Sequence, residues 1–150
     1  AQIQSFGLKH KARELAVAAQ IPLLPGSGLL GSLDDAVAIA AEIGYPVILK
    51  STAGGGGIGM QLCADEKTLR QSFDRVVRTA KSYFADAGVY IERFIEKARH
   101  IEVQVIGDGK GQVLAIGERD CSSQRRNQKV VEECPAPRLS QEQRLLLILL

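Results

Sequence analysis

A lysine followed by a run of glycines constrains this chain more than any other feature. Lys50 closes the apolar run Val47-Ile48-Leu49, and four consecutive glycines follow shortly after it, Gly54, Gly55, Gly56 and Gly57. Glycines have no side chain, so their backbone N–H groups can approach an anion closely, and the lysine adds a positive charge. Because a strand-like segment, Met60-Gln61-Leu62-Cys63, comes next, we predict that the glycines lie at the tip of a β-hairpin that covers a phosphate group.

Two common phosphate-binding motifs do not fit this arrangement. The Walker A loop has its lysine after the glycines, in the order GxxxxGK[ST], whereas Lys50 precedes them. The dinucleotide-binding motif GxGxxG lies between a strand and a helix, whereas a second strand follows the glycines here. The sequence therefore predicts a flap over a nucleotide rather than either of these loops.

Composition is typical of an ordinary globular domain and argues against nucleic acid as a partner. Of the 150 residues, 45% are hydrophobic and 24% are charged, and 19 basic residues nearly balance 17 acidic ones. A nucleic-acid-binding domain usually has a concentrated basic face, whereas the basic cluster here, Arg125, Arg126 and Lys129, is short. We therefore expect a small anion, and no nucleic acid, to bind at this cluster.

The cysteines and the apolar C-terminal run bear on the location of the protein. Cys63, Cys121 and Cys134 are far apart and form no CxxC pair, so neither a disulfide framework nor a zinc site is expected. This pattern indicates a reducing compartment, and we expect the cytoplasm. The apolar run at residues 145–150 is far shorter than a membrane span. We expect it to be one face of a helix, with no membrane association.

Apolar residues recur at helical spacing in three stretches. The first predicted helix covers residues 8–19, the second begins after its N-cap Ser32 and ends at Gly44, and the third follows its N-cap Asp65. Residues 81–88 are predicted to form a loop after the third helix. The buried stripe of the third helix is predicted to consist of Leu69, Phe73, Val76, Val77 and Ala80.

From His100 onward, apolar and polar residues alternate, which is typical of strands. A glycine-rich turn at 107–111 and a returning segment at 112–117 predict an antiparallel pair of strands. Val130-Val131 predicts a further short strand, and a last helix is predicted to begin after Ser140. The chain is thus predicted to be α+β. It has three predicted parts: a lead-in helix at 1–24, a small unit with the glycine flap at 25–92, and the start of an antiparallel sheet at 93–150.

Four segments in a fixed order make the chain resemble the ATP-grasp biotin carboxylases. They are IPLLPGSG at 21–28, LKSTAGGGGIGM at 49–60, YIERFIEKARHIEVQV at 90–105 and GERDCSSQRRNQKVVEECPAP at 117–137. The resemblance implies the ATP-grasp fold, with the lid subdomain and parts of the flanking N- and C-subdomains. It also implies a ligase in which bicarbonate attacks the γ-phosphate of ATP to give carboxyphosphate, whose CO2 then carboxylates biotin.

Two positions narrow the resemblance. Ile58 stands in the flap where biotin carboxylases usually have arginine, and Asn127 stands where the QRRHQK motif has histidine. Both make the chain similar to the urea carboxylases, the component of urea amidolyases that carboxylates urea to allophanate. Guanidine carboxylases, the carboxylases of acyl-CoAs or pyruvate, and a nucleotide-binding module without chemistry remain alternatives.

The resemblance implies a role for each matching residue. Lys9 and Lys50 would contact the nucleotide and its phosphates, and the backbone of Gly54 to Gly57 would close over them. Glu92 would accept a hydrogen bond from the exocyclic amine of adenine. The rest of the implied site consists of Arg93, Phe94 and Ile95 around the base, His100, Gln124 and Asn127 near the nucleotide, and Lys129 as the catalytic residue that holds bicarbonate or carboxyphosphate.

The resemblance also implies groups that lie elsewhere. The Mg²⁺ ligands of the family are expected beyond residue 150, and no metal ligand is expected within this chain. Biotin is expected on a separate carrier domain, which is a partner together with ATP and bicarbonate. We therefore expect a fragment of a longer enzyme that does not carboxylate biotin by itself. The sequence decides neither the acceptor substrate nor the oligomeric state.

Overall fold

The structure, a computed structural model, describes residues 6–53, 58–83 and 88–149. The chain divides into two compact units, residues 1–95 and 96–150. The flap glycines predicted from the sequence, Gly54 to Gly57, lie outside the described residues. The three-part division at residues 24 and 92 stays a prediction, and its second boundary falls within a strand that runs to Arg93.

The first unit contains three described helices and a three-stranded antiparallel sheet. Its elements are α1 (Lys9–Ala18), α2 (Leu33–Ile43), β1 (Val47–Ser51), β2 (Met60–Cys63), α3 (Glu66–Tyr83) and β3 (Val89–Arg93). β1 is the central strand, between β2 and β3. Lys50 pairs with Met60 on one side and with Tyr90 on the other. The predicted antiparallel pairing of the strands before and after the glycines is thus confirmed.

The predicted helix caps are also confirmed. Ser32 Oγ accepts a hydrogen bond from Asp35 N at 3.1 Å, and Asp65 Oδ1 accepts one from Thr68 N at 2.7 Å. Each bond satisfies one of the N–H groups that have no partner in the first turn of a helix. The loop predicted from residue 81 is wrong in its first three residues, because α3 runs to Tyr83. No glycine or proline occurs before Gly88 to stop the helix.

Apolar side chains from the sheet and from α2 and α3 form the core of the first unit. Leu49 and Ile91 are fully buried there. In the predicted stripe of α3, four side chains are buried and Val77 is half-buried. Burial alternates along β1, where residues 47, 49 and 51 are buried and the two between them are not. This alternation turns Lys50 away from the core.

The second unit is built on another antiparallel sheet. Its elements are β4 (Ile101–Gly107), β5 (Val113–Arg125), β6 (Gln128–Glu133) and α4 (Gln141–Leu149), and the strand order is β4-β5-β6. At the predicted turn, Asp108 Oδ1 accepts hydrogen bonds from the N–H groups of Lys110 (2.7 Å) and Gln112 (3.0 Å). The segment predicted at 112–117 is too short, because β5 continues to Arg125 and pairs with β6. Its second half is polar, so the apolar pattern did not predict it.

α4 is anchored to the sheet by a buried ion pair. Its predicted start after Ser140 is confirmed, since Gln143 N donates to Ser140 Oγ (3.1 Å) and Ser140 N donates to Gln143 Oε1 (2.9 Å). Arg144 pairs with the buried carboxylate of Glu118 on β5, which also accepts a bond from Ala136 N at 3.3 Å. Within the described ranges, no helix is long and apolar enough to cross a membrane.

Candidate functional site

In the first unit, the carboxylate of Glu92 on β3 holds two cations. Its Oε1 accepts a hydrogen bond from Arg13 Nη1 at 2.6 Å, and its Oε2 accepts one from Lys50 Nζ. Lys50 and Glu92 are diagonal neighbours on the same face of the sheet, since Lys50 pairs with Tyr90, two residues before Glu92. The side chains of Arg13, Lys50 and Glu92 are 17%, 23% and 12% exposed. Together with Lys9 they are named the Glu92 cluster.

Thr52 brings Lys9 to this cluster. The Thr52 side chain is fully buried, and its carbonyl accepts a hydrogen bond from Lys9 N at 3.0 Å. Two hydrogen bonds with Gly88 hold Thr52 in place. Thr52 N donates to the Gly88 carbonyl at 2.9 Å, and Gly88 N donates to the Thr52 hydroxyl at 3.0 Å. Burial and the positive charge of Lys50 lower the pKa of Lys9, and the charge of Glu92 opposes this shift. Two cations, Arg13 and Lys50, thus share the single carboxylate of Glu92, and this local excess of positive charge favours an anion.

The ends of the predicted flap are held together beside Lys50. Ser51 N donates a hydrogen bond to Gly59 O at 2.8 Å. Gly59 has a φ of 73°, and a Cβ atom there would lie 2.9 Å from Ser51 Cβ. Only glycine meets both demands, because it has no side chain and adopts positive φ without strain. Gly59, which follows the glycine segment in the sequence, is thereby tied to the strand that carries the lysine.

Several polar groups of the segment predicted to bind adenine already make hydrogen bonds within the first unit. The N–H groups of Arg93 and Phe94 donate to the carbonyls of Pro25 (2.8 Å) and Pro46 (3.0 Å). The Arg93 guanidinium donates to a carbonyl at the C-terminus of α2 at 2.8 Å. These groups hold the first unit together, and the contacts of this segment with adenine stay a prediction. Phe94 is half-buried and Ile95 is exposed, and both have apolar surface for a base.

In the second unit, the carboxylate of Glu102 on β4 collects three groups. Lys129 Nζ lies 2.6 Å and 2.7 Å from its two oxygens, Arg119 Nη2 lies 2.9 Å from Oε2, and His100 Nε2 lies 2.9 Å from Oε1. The hydrogen bond between Lys129 and Glu102 lowers the pKa of Glu102 and raises that of Lys129. Both side chains are therefore charged at neutral pH. The four residues are named the Glu102 cluster.

Gln124 fixes the tautomer of His100. The side-chain amide nitrogen of Gln124 lies 2.7 Å from His100 Nδ1 and 2.9 Å from the carbonyl of Cys121. An amide nitrogen donates, so Nδ1 is the acceptor and the hydrogen of the neutral ring is on Nε2, where it points to Glu102. Two residues predicted to be functional, His100 and Lys129, therefore meet at one carboxylate, and a third, Gln124, binds His100.

Asn127 lies apart from these contacts, at the tip of the hairpin between β5 and β6. Arg126 and Asn127 are the two turn residues, with φ of 53° and 62°, and Arg125 pairs with Gln128 across the turn. Positive φ at both positions is typical of a type I′ turn, where asparagine is favoured. Histidine also tolerates this conformation, so either residue suits the turn. A surface cavity of about 360 Å³ beside it is lined by Arg125, Arg126, Gln128, Lys129 and Val130.

Three residues of the two clusters, Arg13, Glu102 and Arg119, and the neighbouring Thr52 were not predicted from the sequence. Glu102 follows His100 by two positions on a strand, and Arg13 follows Lys9 by four on a helix, so each pair shares a face. Those spacings are the available signals. No spacing in the sequence predicted a role for Thr52 or Arg119, because their partners are distant in sequence. Among residues 6–53, 58–83 and 88–149, no group of three His, Cys, Asp or Glu side chains is placed to hold a metal ion.

Comparison with known proteins identifies relatives over almost the whole chain. Residues 9–148 match the family model described as "Carbamoyl-phosphate synthase L chain, ATP binding domain". Urea amidolyase of Saccharomyces cerevisiae is 55% identical over 97% of this chain, and biotin carboxylase 2 of Bacillus subtilis is 46% identical over 95%. The chain spans 8% and 32% of the lengths of these two proteins. The resemblance to urea carboxylases and biotin carboxylases predicted from the sequence is confirmed.

A solved structure shares the fold. The biotin carboxylase domain of the Hydrogenobacter thermophilus 2-oxoglutarate carboxylase, in complex with MgADP, ADP and bicarbonate, matches with a TM-score of 0.92. It is 44% identical, and the match covers 97% of this chain and 32% of that domain. The prediction of an α+β fold of the biotin carboxylase ATP-grasp type is thereby confirmed.

Proposed function

This chain belongs to the carbamoyl-phosphate synthase L chain family of ATP-binding domains, and we propose on that premise that it is the ATP-binding segment of a biotin-dependent urea carboxylase. The observation that carries the proposal is the Glu92 cluster, in which the two cations Arg13 and Lys50 share one carboxylate at the end of the strand that leads into the glycine segment. A polyphosphate is the ligand that best satisfies this excess of positive charge.

The Glu92 cluster binds and orients the nucleotide in this proposal. Lys50 turns from Glu92 to the phosphates, Lys9 approaches them from the start of α1, and the flap backbone covers them. The oxygen of Glu92 that Lys50 releases accepts a hydrogen bond from the adenine amine, and Phe94 and Ile95 supply apolar contacts. The flap glycines and the adenine contacts are carried over from the resemblance.

The Glu102 cluster holds bicarbonate in this proposal. Lys129 binds the anion as a compact ammonium donor, and Glu102 keeps that lysine charged and oriented. An oxygen of bicarbonate forms a bond to the γ-phosphorus of ATP while the bond from that phosphorus to the β–γ bridging oxygen breaks, which leaves ADP and carboxyphosphate. Positioning and charge neutralisation contribute most to such a phosphoryl transfer. Gln124 and His100 maintain the cluster, and the role of Asn127 near the nucleotide is carried over from the resemblance.

The remaining components of the reaction are also part of the proposal. Carboxyphosphate yields the CO2 that carboxylates biotin on a carrier domain, and carboxybiotin then passes its carboxyl group to urea to give allophanate. Mg²⁺ would neutralise the phosphates, and we assign it to no residue of this chain. The 55% identity to urea amidolyase favours urea over guanidine, acyl-CoA or pyruvate as the acceptor. Three free cysteines agree with the cytoplasm as the location.

The phosphate site is tested by calorimetric titration of this chain with ATP, ADP and inorganic tripolyphosphate. Lys50→Met is expected to lower the affinity for ATP and for tripolyphosphate by roughly 10- to 100-fold, which is the range for the loss of a hydrogen bond to a charged group. Lys11→Met is the matched control, because Lys11 is an exposed lysine of the same unit. Equal affinities for the two variants, or no binding by the wild type, would overturn the proposal.

The acceptor is tested in a longer enzyme that carries this segment. ATP hydrolysis that depends on bicarbonate is measured with urea, guanidine, acetyl-CoA or pyruvate present. We expect urea to stimulate it most, and Lys129→Met to abolish the stimulation while Lys110→Met, at an exposed turn position, leaves it intact. Stimulation by guanidine, acetyl-CoA or pyruvate in place of urea would refute the assignment of urea as the acceptor, and it would not affect the proposed ATP site.

A further inference from the structure

Arg13 has a place in the first unit that the proposed roles do not use. Its guanidinium is a fork with two different partners: Nη1 donates to Glu92 Oε1 at 2.6 Å, and Nη2 donates to the carbonyl of Leu24 at 3.1 Å. The side chain is 17% exposed although it is charged. A helix residue is thereby bonded at once to a strand carboxylate and to the linker after that helix. This arrangement fixes the position of one carboxylate oxygen.

The two oxygens of Glu92 have different partners, and the partners have different properties. Arg13 is planar and makes its bonds in a fixed geometry, whereas Lys50 is a flexible point charge. Lys50 is also the residue proposed to turn to the phosphates. When it does so, Oε2 loses its donor and Oε1 keeps Arg13. Glu92 then has one fixed oxygen and one free acceptor.

The backbone around Arg13 provides space for the guanidinium. Gly26 forms a β-bridge with Glu92, and a Cβ atom at Gly26 would lie 2.8 Å from Arg13 Nη2 and 2.8 Å from the carbonyl oxygen of Ile91. Any larger residue would push the arginine or the linker away. On the other side of the bridge, Ser27 N donates to the same Ile91 carbonyl at 2.8 Å. The linker is therefore paired to β3 at the point where Arg13 binds it.

We infer that Arg13 is a positioning residue for base selection: it orients Glu92 so that the free oxygen accepts a hydrogen bond from the exocyclic amine of adenine. This inference rests on the proposed nucleotide site and goes beyond it, because it assigns the selectivity for an amino-purine to a residue that does not touch the base. Without Arg13, the Glu92 side chain has no fixed oxygen and can turn toward either lysine. The preference for adenine then falls, while phosphate binding by the lysines remains.

The test compares three ligands that separate these contributions. ATP has the exocyclic amine, inosine triphosphate has an oxygen at the same position, and inorganic tripolyphosphate has no base. Calorimetric titration gives the ratio of ATP to inosine triphosphate affinity, which we expect to be roughly 10- to 100-fold in the wild type. Arg13→Met should lower this ratio about tenfold and change tripolyphosphate affinity less than about threefold.

Three further variants keep the test decisive. Arg13→Lys retains the charge but has no fork, so its ratio should lie between those of the wild type and Arg13→Met. Glu92→Gln should lower the ratio as much as Arg13→Met, and the double variant no further, because Arg13 acts through Glu92. Arg78→Met, at an exposed position on α3, is the control and should behave as the wild type. If Arg13→Met does not fold, as judged by circular dichroism, Arg13→Lys and Glu92→Gln carry the comparison.

The outcomes distinguish this inference from the function on which it rests. No binding of ATP or tripolyphosphate by the wild type overturns the proposed nucleotide site, and the inference with it. A wild type that binds both ligands but does not prefer ATP to inosine triphosphate overturns the inference and leaves the phosphate site. The inference is also overturned if Arg13→Met keeps the wild-type ratio of ATP to inosine triphosphate affinity. It is overturned as well if Arg13→Met lowers the affinity for all three ligands equally, since that is the effect of a purely structural residue.

Discussion

Replacing Leu49 by alanine should open the first unit and leave the second unit unchanged. Leu49 is fully buried on the central strand β1, one residue before Lys50. Three carbon groups at about 0.8 kcal/mol each give about 2.4 kcal/mol of lost burial. Neighbouring strands hold the backbone on both sides, so the cavity persists and adds about 1 kcal/mol. We expect the free energy of unfolding of the first unit to fall by about 3 kcal/mol.

Thiol labelling measures this change unit by unit. Cys63 is fully buried beside β1, and burial raises the pKa of its thiol to about 11, so it reacts only after opening. A loss of about 3 kcal/mol raises the open population, and with it the labelling rate, about 100-fold. Cys121 is buried in the second unit and should keep its rate, and exposed Cys134 should react at once. Mass spectrometry of the peptides resolves the three sites.

The control variant is Leu62→Ala, on the neighbouring strand β2. Leu62 is 43% exposed, so its truncation should cost less than about 1 kcal/mol and speed Cys63 labelling less than about fivefold. An unchanged Cys63 rate in Leu49→Ala would refute the assignment of Leu49 to the core. Equal acceleration at Cys63 and Cys121 would refute the prediction that the loss of stability is confined to the first unit.

Three further predictions concern single residues. Hydrogen bonds from Ser122 and Arg99 lower the pKa of Asp120 to about 2, so its stabilising effect is present above about pH 4 and is lost as the pH falls through about 2. Urea titrations of Asp120→Asn should therefore show a smaller loss of stability than the wild type over this pH range. An equal loss in both proteins would contradict the pairing. Ser32→Ala removes the cap of α2 and should cost about 1 kcal/mol in urea unfolding, whereas Ser32→Asp should cost little. Asn127→Val should destabilise the β5–β6 hairpin by about 1–2 kcal/mol because its φ is 62°, whereas Asn127→Gly should not; hydrogen exchange of the hairpin amides measures the difference, and equal protection in both variants argues against the turn.

Local features of the fold were predictable because their causes are local. Ser32, Asp65 and Ser140 cap helices through bonds to residues three positions away, so the sequence contains both partners. The stripe of α3 and the turn after β4 follow from spacing and from glycine in the same way. The end of α3 and the length of β5 were wrong, because the first has no local stop signal and the second is polar where it pairs with β6.

The sequence by itself determined the antiparallel strands before and after the glycines, the lysine at the end of the first strand, the α+β class and the family resemblance, all of which depend on residue types and short spacings. The tertiary structure decided which charges meet. Arg13 reaches Glu92 across 79 positions, and Lys129 reaches Glu102 across 27. The structure also showed that Arg93 supports α2 and that Asn127 occupies a turn. Such contacts depend on how strands align and where a linker folds back, and the pairing of distant segments sets both.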